Sequence, residues 1–217
     1  MSRPAGILVT VLGPDGSGKG SLIAAAEKQI RQTMQCDTAV YHWRPWCLPS
    51  LRSLLTGRAE VLTDATPPHP RKPSKALLSV LRLAYYTADY VIGYWLSVRA
   101  DWKRGRAVVF FERYFYDFYF DPARLMASPP GWAVRFFNIF VPRPDLIVFL
   151  TTDPEKVRER KPELPIEEIC RQIRAMHALA DRLGNVVWLD TSKSLDCAAN
   201  EAVTLVRQTL RKRQEST

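Results

Sequence analysis

The residues best placed to do chemistry lie near the amino terminus, in the stretch 13–21, whose sequence is GPDGSGKGS. An apolar, β-branched run at 7–12 precedes this stretch, as in a buried parallel strand. Good helix formers follow it at 22–30. Glycines let successive backbone N–H groups turn inward around an anion, and the start of a helix adds further N–H groups and the positive end of its dipole. This order of elements is typical of a phosphate-binding loop.

We therefore expect the loop to bind a nucleoside triphosphate. Lys19 supplies a full positive charge that can reach the β- and γ-phosphates. A glycine-rich turn that only caps a helix is the alternative, and the spacing of glycines and lysine between strand and helix makes it the weaker interpretation. The loop residues expected to contact the nucleotide are Gly13, Asp15, Gly16, Ser17, Gly18, Lys19, Gly20 and Ser21.

Two positions of the loop are unusual. The residue after the lysine, which ordinarily offers a hydroxyl to Mg²⁺, is Gly20, and a hydroxyl first appears at Ser21. Asp15 places a carboxylate beside bound phosphates, which is unfavourable unless it holds a metal, a water or an acceptor hydroxyl. We expect Asp15 to take part in transfer chemistry. ATP and Mg²⁺ are the expected cofactors, with Ser21 and Glu112 as candidate metal ligands.

A second group of chemically capable residues, Glu112 and Arg113, follows the apolar run at 107–111. In open α/β sheets, ligands gather outside the carboxyl ends of the strands, where the phosphate-binding loop also lies. A carboxylate there can orient metal-bound water or accept a proton from a hydroxyl. An arginine there can clamp an acceptor phosphate or carboxylate through two hydrogen bonds. A buried structural ion pair is the alternative, and the position favours a functional role.

The elements that must position these residues alternate along the chain. Strands are predicted at 7–12, 38–43, 107–111, 145–150 and 186–189, and helices at 19–33, 74–105, 132–140, 154–161, 166–183 and 195–213. A phosphate-binding loop after the first of these strands predicts an α/β P-loop NTPase three-layer fold, with a five-stranded parallel sheet and helices on both faces. No repeat or change of composition divides the chain, so we expect one domain over 1–217.

Two segments outside the sheet are candidates for covering the site. Residues 44–73 are rich in proline and basic residues, which predicts a long irregular excursion with at most one short helix at 48–55. The segment at about 156–165 begins with KVRERK. A mobile basic lid can neutralise the charge on a transferred phosphoryl group, and Arg158 and Arg160 are the candidates for that role. A solvated basic helix face is the alternative.

Composition limits the partners and the location. The 217 residues carry a formal net charge of +9, which favours anionic partners such as nucleotide phosphates. No RNA-binding or helix-turn-helix signature accompanies this charge, so no nucleic acid is expected. The longest apolar stretch, 76–98, contains Arg82 and Asp89, which favours a buried helix over a membrane span. The four widely spaced cysteines predict reduced thiols in a cytoplasmic protein.

These motifs give the chain a family resemblance. It resembles the thymidylate kinase group of P-loop nucleoside monophosphate kinases, which carry an aspartate inside the loop, as at Asp15, and an Asp-Arg-Tyr-like motif after the third strand, matched by ERY at 112–114. Their long helix has an aromatic-x-x-Asp-Arg element, to which YTADY at 86–90 corresponds. The segment 144–155 is similar to their fourth strand and lid approach. The resemblance spans nearly the whole chain and implies a kinase.

The motifs and the resemblance together assign roles to individual residues. Thr191 and Ser192 follow the fifth strand, where related kinases wrap the adenine. Related kinases often dimerise through the long helix, which leaves a homodimer open. The residues expected to be catalytic are Lys19, Asp15, Glu112, Arg113, Arg158 and Arg160, and those expected to bind the acceptor are Arg44, Tyr86, Asp89, Tyr90, Arg113 and Tyr114.

Two departures from the family pattern favour an acceptor other than dTMP. Tyr90 stands where thymidylate kinases place a base-contacting arginine, and WRP at 43–45 lacks the glutamate of their Arg-Glu-Pro turn. A pocket built to hydrogen-bond a base loses discrimination sharply without such a group. Divergent members of the group also resemble this chain, and some are associated with bacterial surface-polysaccharide assembly. The expected reaction therefore moves the γ-phosphoryl of ATP to a sugar or glycan hydroxyl, or to another nucleotide.

Three other functions stay open from the sequence. The first is a genuine thymidylate or nucleoside monophosphate kinase. The second is a non-catalytic scaffold that binds nucleotide as a structural ligand, for which Gly20 is the best support. The third is a protein that contacts membranes peripherally through its basic loop and the apolar segment at 132–140.

Overall fold

The computed structural model describes residues 6–49, 76–125, 128–184, 186–191 and 194–215. Within these ranges the chain forms a five-stranded parallel sheet with helices on both faces. The predicted three-layer α/β architecture is thereby confirmed, and it is consistent with a P-loop NTPase-like fold. Most of the excursion predicted at 44–73, most of its short helix and Ser192 lie outside the described residues.

The elements agree with the predicted ones to within a few residues, apart from the long helix. The strands are β1 (Ile7–Leu12), β2 (Thr38–His42), β3 (Val108–Glu112), β4 (Leu146–Thr151) and β5 (Val186–Asp190). The helices are α1 (Lys19–Met34), α2 (Ala76–Gly93), α3 (Arg99–Lys103), α4 (Asp117–Phe120), α5 (Gly131–Asn138), α6 (Pro154–Arg160), α7 (Ile166–Leu183) and α8 (Leu195–Glu215).

The order of the strands creates the crevice in which a ligand can bind. The strands lie in the order β2-β3-β1-β4-β5, and each neighbouring pair is parallel. After β1 the chain crosses to β2, which lies on one side of β1. After β3 it crosses to β4, which lies on the other side of β1. The crossover direction therefore reverses between the neighbouring strands β1 and β3. Ligands bind outside the carboxyl ends of such strands, and here the glycine-rich loop and Glu112 meet at that point.

Both faces of the central strand are buried, which explains its uninterrupted apolar run. Ile7, Val9 and Val11 pack with α1 and α8 on one face. Leu8 and Leu12 belong to the second core, on the opposite face, which α2 and α7 also line. The second core is dense in aromatic rings and contains most of the aromatic run that follows β3, including the short helix α4.

The long helix predicted at 74–105 is helical throughout 76–103, but it contains a π-helical turn that the sequence did not predict. A π-helical turn, Tyr94–Val98, separates α2 from α3. Gly93, the last residue of α2, packs against Pro45, and a Cβ built on Gly93 would overlap the proline ring. The loop after β2 thus rests directly on the helix where its regular hydrogen bonding changes. Such turns occur frequently at functional sites.

Two further observations concern membrane-spanning helices and the cysteines. None of the helices in the described ranges is both long enough and apolar enough to cross a membrane. All four cysteines lie within these ranges as free thiols, as expected from their spacing.

We predict that Gly93→Ala destabilises the protein by about 1–3 kcal/mol, because the new methyl group must displace the rigid ring of Pro45. Gly131→Ala is the matched control, since no atom lies within 4 Å of a Cβ at that position. It should change the free energy of unfolding by about 1 kcal/mol or less, in the stabilising direction. Urea unfolding of both variants measures the difference. Equal stabilities would contradict the predicted overlap at Pro45.

Candidate functional site

The glycine-rich loop connects β1 to α1 with the backbone shape that an anion requires. Gly16 and Gly18 both adopt left-handed conformations, with φ of 85° and 88°. Gly18 directly precedes α1, and no side chain caps that end of the helix. The amides of the first helical turn are therefore left to a ligand. Glycine is needed at both positions because other residues adopt this conformation at a cost.

Ser17 gives the loop an unsatisfied polar group. Its side chain is fully buried, and among the described residues its Oγ has no hydrogen-bond partner. A Cβ built on Gly13 would lie 2.6 Å from this Oγ, so the loop closes tightly around the hydroxyl. A buried hydroxyl without a partner costs about 1–3 kcal/mol. An acceptor such as a phosphate oxygen would satisfy this hydroxyl.

Lys19 lies folded against its own loop. Its Nζ donates to the carbonyl oxygens of Gly13, at 3.0 Å, and Pro14, at 2.8 Å. Burial lowers the pKa of Lys19, while the carboxyl groups of Asp117 and Glu112 act in the opposite direction. The ammonium group is thus held where it can turn from these carbonyls to a phosphate.

A buried ion network joins the loop to the end of β3. One guanidinium nitrogen of Arg113 contacts the Asp15 carboxylate, and the other donates to Asp117 at 2.9 Å. Lys19 lies 3.8 Å from the same Asp15 carboxylate. Burial raises the pKa of Asp117, and the Arg113 guanidinium opposes that rise. Arg113 has a φ of 73°, a strained conformation for a residue with a side chain. The structure thus brings together three of the predicted catalytic residues.

Gly20 lies beside the predicted carboxylate at the site. A Cβ on Gly20 would lie 3.4 Å from Glu112 Oε2, which is an ordinary contact distance. Glu112 Oε2 also lies 3.3 Å from His42 Nδ1. The hydrogen bond with His42 is the main cause that lowers the pKa of Glu112. Sequence reasoning gave His42 no role, although it is the last residue of β2 and therefore lies at the ligand-binding edge.

The predicted metal ligands do not form a protein cage. Ser21 is exposed on α1, and Glu112 is hydrogen-bonded to His42. The described part of the chain contains no cluster of three histidine, cysteine, aspartate or glutamate residues that could hold a metal ion. A magnesium ion at this site would take most of its ligands from nucleotide phosphates and water, as is usual for this ion.

The basic lid segment reaches the loop through Lys161. A Cβ on Gly16 would lie 3.0 Å from the Val157 carbonyl oxygen and 3.1 Å from Lys161 Cβ, so the end of α6 packs on the loop. Lys161 Nζ lies 3.9 Å from Asp15 Oδ2. Arg158 and Arg160, the two predicted lid residues, are exposed. The lid cation that the structure brings to the loop is therefore Lys161, the last residue of the KVRERK run.

Two of the predicted acceptor-binding residues bind each other. Arg44 and Asp89 are both buried, and Arg44 Nη1 donates to Asp89 Oδ2 at 2.8 Å. The second Asp89 oxygen accepts from the Leu48 amide at 2.7 Å. The Arg44 guanidinium also stacks over the Trp46 ring at 3.9 Å. This pair holds the loop after β2 on α2, which is the structural role that the sequence alone did not assign to it.

The predicted acceptor-binding tyrosines lie in the second core. Tyr90 donates its hydroxyl to the Trp43 carbonyl oxygen, and Tyr114 donates to the Pro142 carbonyl oxygen at 2.6 Å. Both side chains are almost fully buried, and burial raises the pKa of both well above the usual value. The ring of Tyr86 meets that of Trp43 edge to face at 4.8 Å. The hydroxyl groups of Tyr90 and Tyr114 are therefore engaged by backbone carbonyl oxygens, and both residues stabilise the core next to the site.

Thr191, the described member of the predicted adenine-binding pair, lies at the carboxyl end of β5. Its amide and hydroxyl donate to the Thr151 carbonyl oxygen at 3.2 and 3.3 Å. It fixes the end of β5 to the end of β4, on the same edge of the sheet as the loop.

Comparison with known proteins adds no identification. No protein-family model matches the chain, and no curated protein sequence matches it. The geometry described above is therefore the basis for any functional conclusion.

We predict that Asp89→Leu and Arg44→Met each lower the free energy of unfolding by about 3–5 kcal/mol, because each leaves a buried charge without its partner. The double variant should lose less than the sum of the two losses, since both charges are then gone. Arg135→Met, at an exposed position on α5, is the control. Denaturant unfolding of the four variants tests this, and additive losses would show that the pair is not coupled.

Proposed function

We propose that the chain is an ATP- and Mg²⁺-dependent phosphotransferase of thymidylate kinase-like type, which moves the γ-phosphoryl group of ATP to a small acceptor other than dTMP. The single observation that carries the proposal is the loop after β1. It combines two left-handed glycines, a buried Ser17 hydroxyl without a partner in the described residues, and Lys19 at the start of α1. This combination suits a chain of phosphates.

The surrounding residues supply what phosphoryl transfer requires. The reaction needs positioning and neutralisation of charge more than covalent chemistry from the protein. The loop amides and Lys19 would hold the β- and γ-phosphates, and Lys161 would add a cation from the lid. Asp15 keeps Lys19 and Arg113 in position, because its carboxylate contacts both. Mg²⁺ bound with the nucleotide would supply further positive charge.

The packing of the lid also supports the proposal. The end of α6 covers Gly16, so the loop is shielded from one side by the segment that carries Lys161. Exclusion of water strengthens electrostatic interactions inside a site and limits hydrolysis.

We predict that Lys19→Ala lowers the rate of phosphoryl transfer by about 100-fold or more, because the loop loses the charge that meets the γ-phosphate. The rate is measured as ADP formation in the presence of MgATP and acceptor. Lys28→Ala, on an exposed position of the same helix, is the matched control and should keep the wild-type rate. Circular dichroism checks that both variants are folded. Full activity of folded Lys19→Ala would remove the loop from the mechanism.

We predict a second, smaller loss of about 10-fold to 100-fold for Lys161→Ala, because one lid cation no longer stabilises the transferred group. Arg158→Ala removes the same charge from an exposed position of the lid and should stay within about 2-fold of the wild type. Turnover of both variants at saturating MgATP distinguishes the two positions. A greater loss for Arg158→Ala would reverse the assignment of the lid cation.

A further inference from the structure

We infer that the phosphoryl acceptor is a neutral, saccharide-like hydroxyl compound, and not a phosphate monoester, bound beside Glu112 at the carboxyl ends of β2 and β3. This inference rests on the proposed phosphotransferase function and deepens it. It is carried by three features of the described residues: the pairing of the arginines, the sign of the charges around the loop, and an indole surface next to Glu112.

The arginines expected to bind an acceptor phosphate are already engaged. A phosphate monoester is recognised most effectively by guanidinium groups that offer two parallel hydrogen bonds. Arg44 is buried against Asp89, and Arg113 is buried between Asp15 and Asp117. Recruiting either arginine would leave a buried carboxylate without its partner, which is strongly unfavourable.

The remaining charges around the loop have the wrong sign for a second phosphate. Four carboxyl groups lie close to Lys19. Asp15 forms an ion pair with it, and the charges of Asp117, Glu112 and Asp121 act to raise its pKa. Lys19 and Lys161, the two lysines that pair with Asp15, would serve the phosphates of ATP. Among the described residues, Arg113 pairs with Asp15 and Asp117, while Arg171 pairs with Glu168 and interacts with Asp121. These guanidinium groups are therefore already engaged, and the carboxyl groups repel a dianion and attract hydroxyl donors.

An indole surface continues from the Glu112–His42 pair. Trp43 donates its amide to the Glu112 carbonyl oxygen at 2.7 Å, and the Trp46 indole donates to the His42 carbonyl oxygen at 3.1 Å. Trp43 and Trp46 have φ of 67° and 59°, strained values of the kind that cluster at ligand sites. In the described residues, the buried Nε1 of Trp43 has no hydrogen-bond acceptor.

These groups match the surface of a sugar ring. Such a ring carries apolar C–H faces, which stack on aromatic side chains, and hydroxyl groups, which donate to carboxylates and accept from N–H groups. Trp46 is only partly buried and is held in place by the stacked Arg44 guanidinium. Pockets that combine apolar surface with a few convergent polar groups are typical of small-molecule sites.

The reaction at this site balances without an additional reactant. The acceptor oxygen forms a bond to the γ-phosphorus of ATP, and the bond from that phosphorus to the β,γ-bridging oxygen breaks, so ADP leaves. The hydroxyl proton passes to the Glu112 carboxylate and from there to water. Glu112 is the catalytic residue in this step. His42 is a positioning residue, since its Nδ1 lies 3.3 Å from Glu112 Oε2 and acts through it.

The test compares acceptors with the full-length protein and MgATP. We measure ADP formation with a panel of neutral monosaccharides, with nucleoside monophosphates including dTMP, and with water as the only acceptor. We expect a saccharide to raise the rate above ATP hydrolysis and the monophosphates to leave it unchanged. Two results would overturn the inference. One is faster transfer to a monophosphate than to any saccharide. The other is a protein that binds ATP but neither hydrolyses it nor transfers its phosphoryl group to a saccharide.

Variants test the individual roles. Glu112→Gln should lower both transfer and acceptor-free hydrolysis by about 100-fold or more, with an unchanged ATP dissociation constant and Mg²⁺ requirement. Trp46→Ala should raise the acceptor KM by about 10-fold with little change in kcat. His42→Gln should lower kcat and leave KM unchanged. Glu215→Gln, at the exposed end of α8, and His177→Gln, on α7, are the matched controls.

Two outcomes separate this inference from the proposed function. If Glu112→Gln keeps the wild-type rates, or only raises the Mg²⁺ concentration that the enzyme requires, the inference is wrong and the phosphotransferase proposal stands. If the wild-type protein binds no ATP, the proposed function itself fails. Thermal unfolding of each variant confirms that a lost rate does not reflect a lost fold.

Discussion

The carboxylate of Asp15 is the contact on which the whole site depends. It meets cations from three separate elements: Lys19 at the start of α1, Arg113 after β3 and Lys161 at the end of α6. This carboxylate offsets the mutual repulsion of the three cations, with contributions from Asp117 at Arg113 and from Glu163 at Lys161. In the mechanism that we propose, Lys19 and Lys161 would turn to the phosphates of a nucleotide, and Asp15 would continue to hold Arg113 in place.

Glycines and residues with strained backbone conformations occur where segments of the chain approach each other closely, at a cost in local stability. Gly16 leaves space for the end of α6, and Gly93 leaves space for Pro45. Trp43, Trp46 and Arg113 have positive φ values although they carry large side chains. All three lie just after β2 or β3, at the edge of the sheet that also carries the loop. Strain at such positions persists only when the surrounding structure holds it, and here Arg44, Asp89 and Asp117 provide that support.

The sequence predicted the features that depend on neighbours along the chain. The apolar run of β1, the loop and the start of α6 after Asp153 were all recognisable, and the Asp153 side chain does accept from the Glu155 amide. The packing of Pro45 on Gly93 beside the π-helical turn, the Arg44–Asp89 pair and the contact of Lys161 with Asp15 were missed. Each contact joins residues that are far apart in the chain, so no local pattern records it. His42 could have been noticed, because a histidine that ends a parallel strand lies at the ligand-binding edge.

The most direct test of the central claim is calorimetric titration of the purified protein with ATP, in the presence and absence of Mg²⁺. A loop that combines a helix end without a side-chain cap, a buried Ser17 hydroxyl without a partner in the described residues, and Lys19 should give a saturable heat of binding for one nucleotide per chain. If neither ATP nor GTP releases or absorbs heat under either condition, the loop does not bind nucleotide phosphates, and the account of the site is wrong.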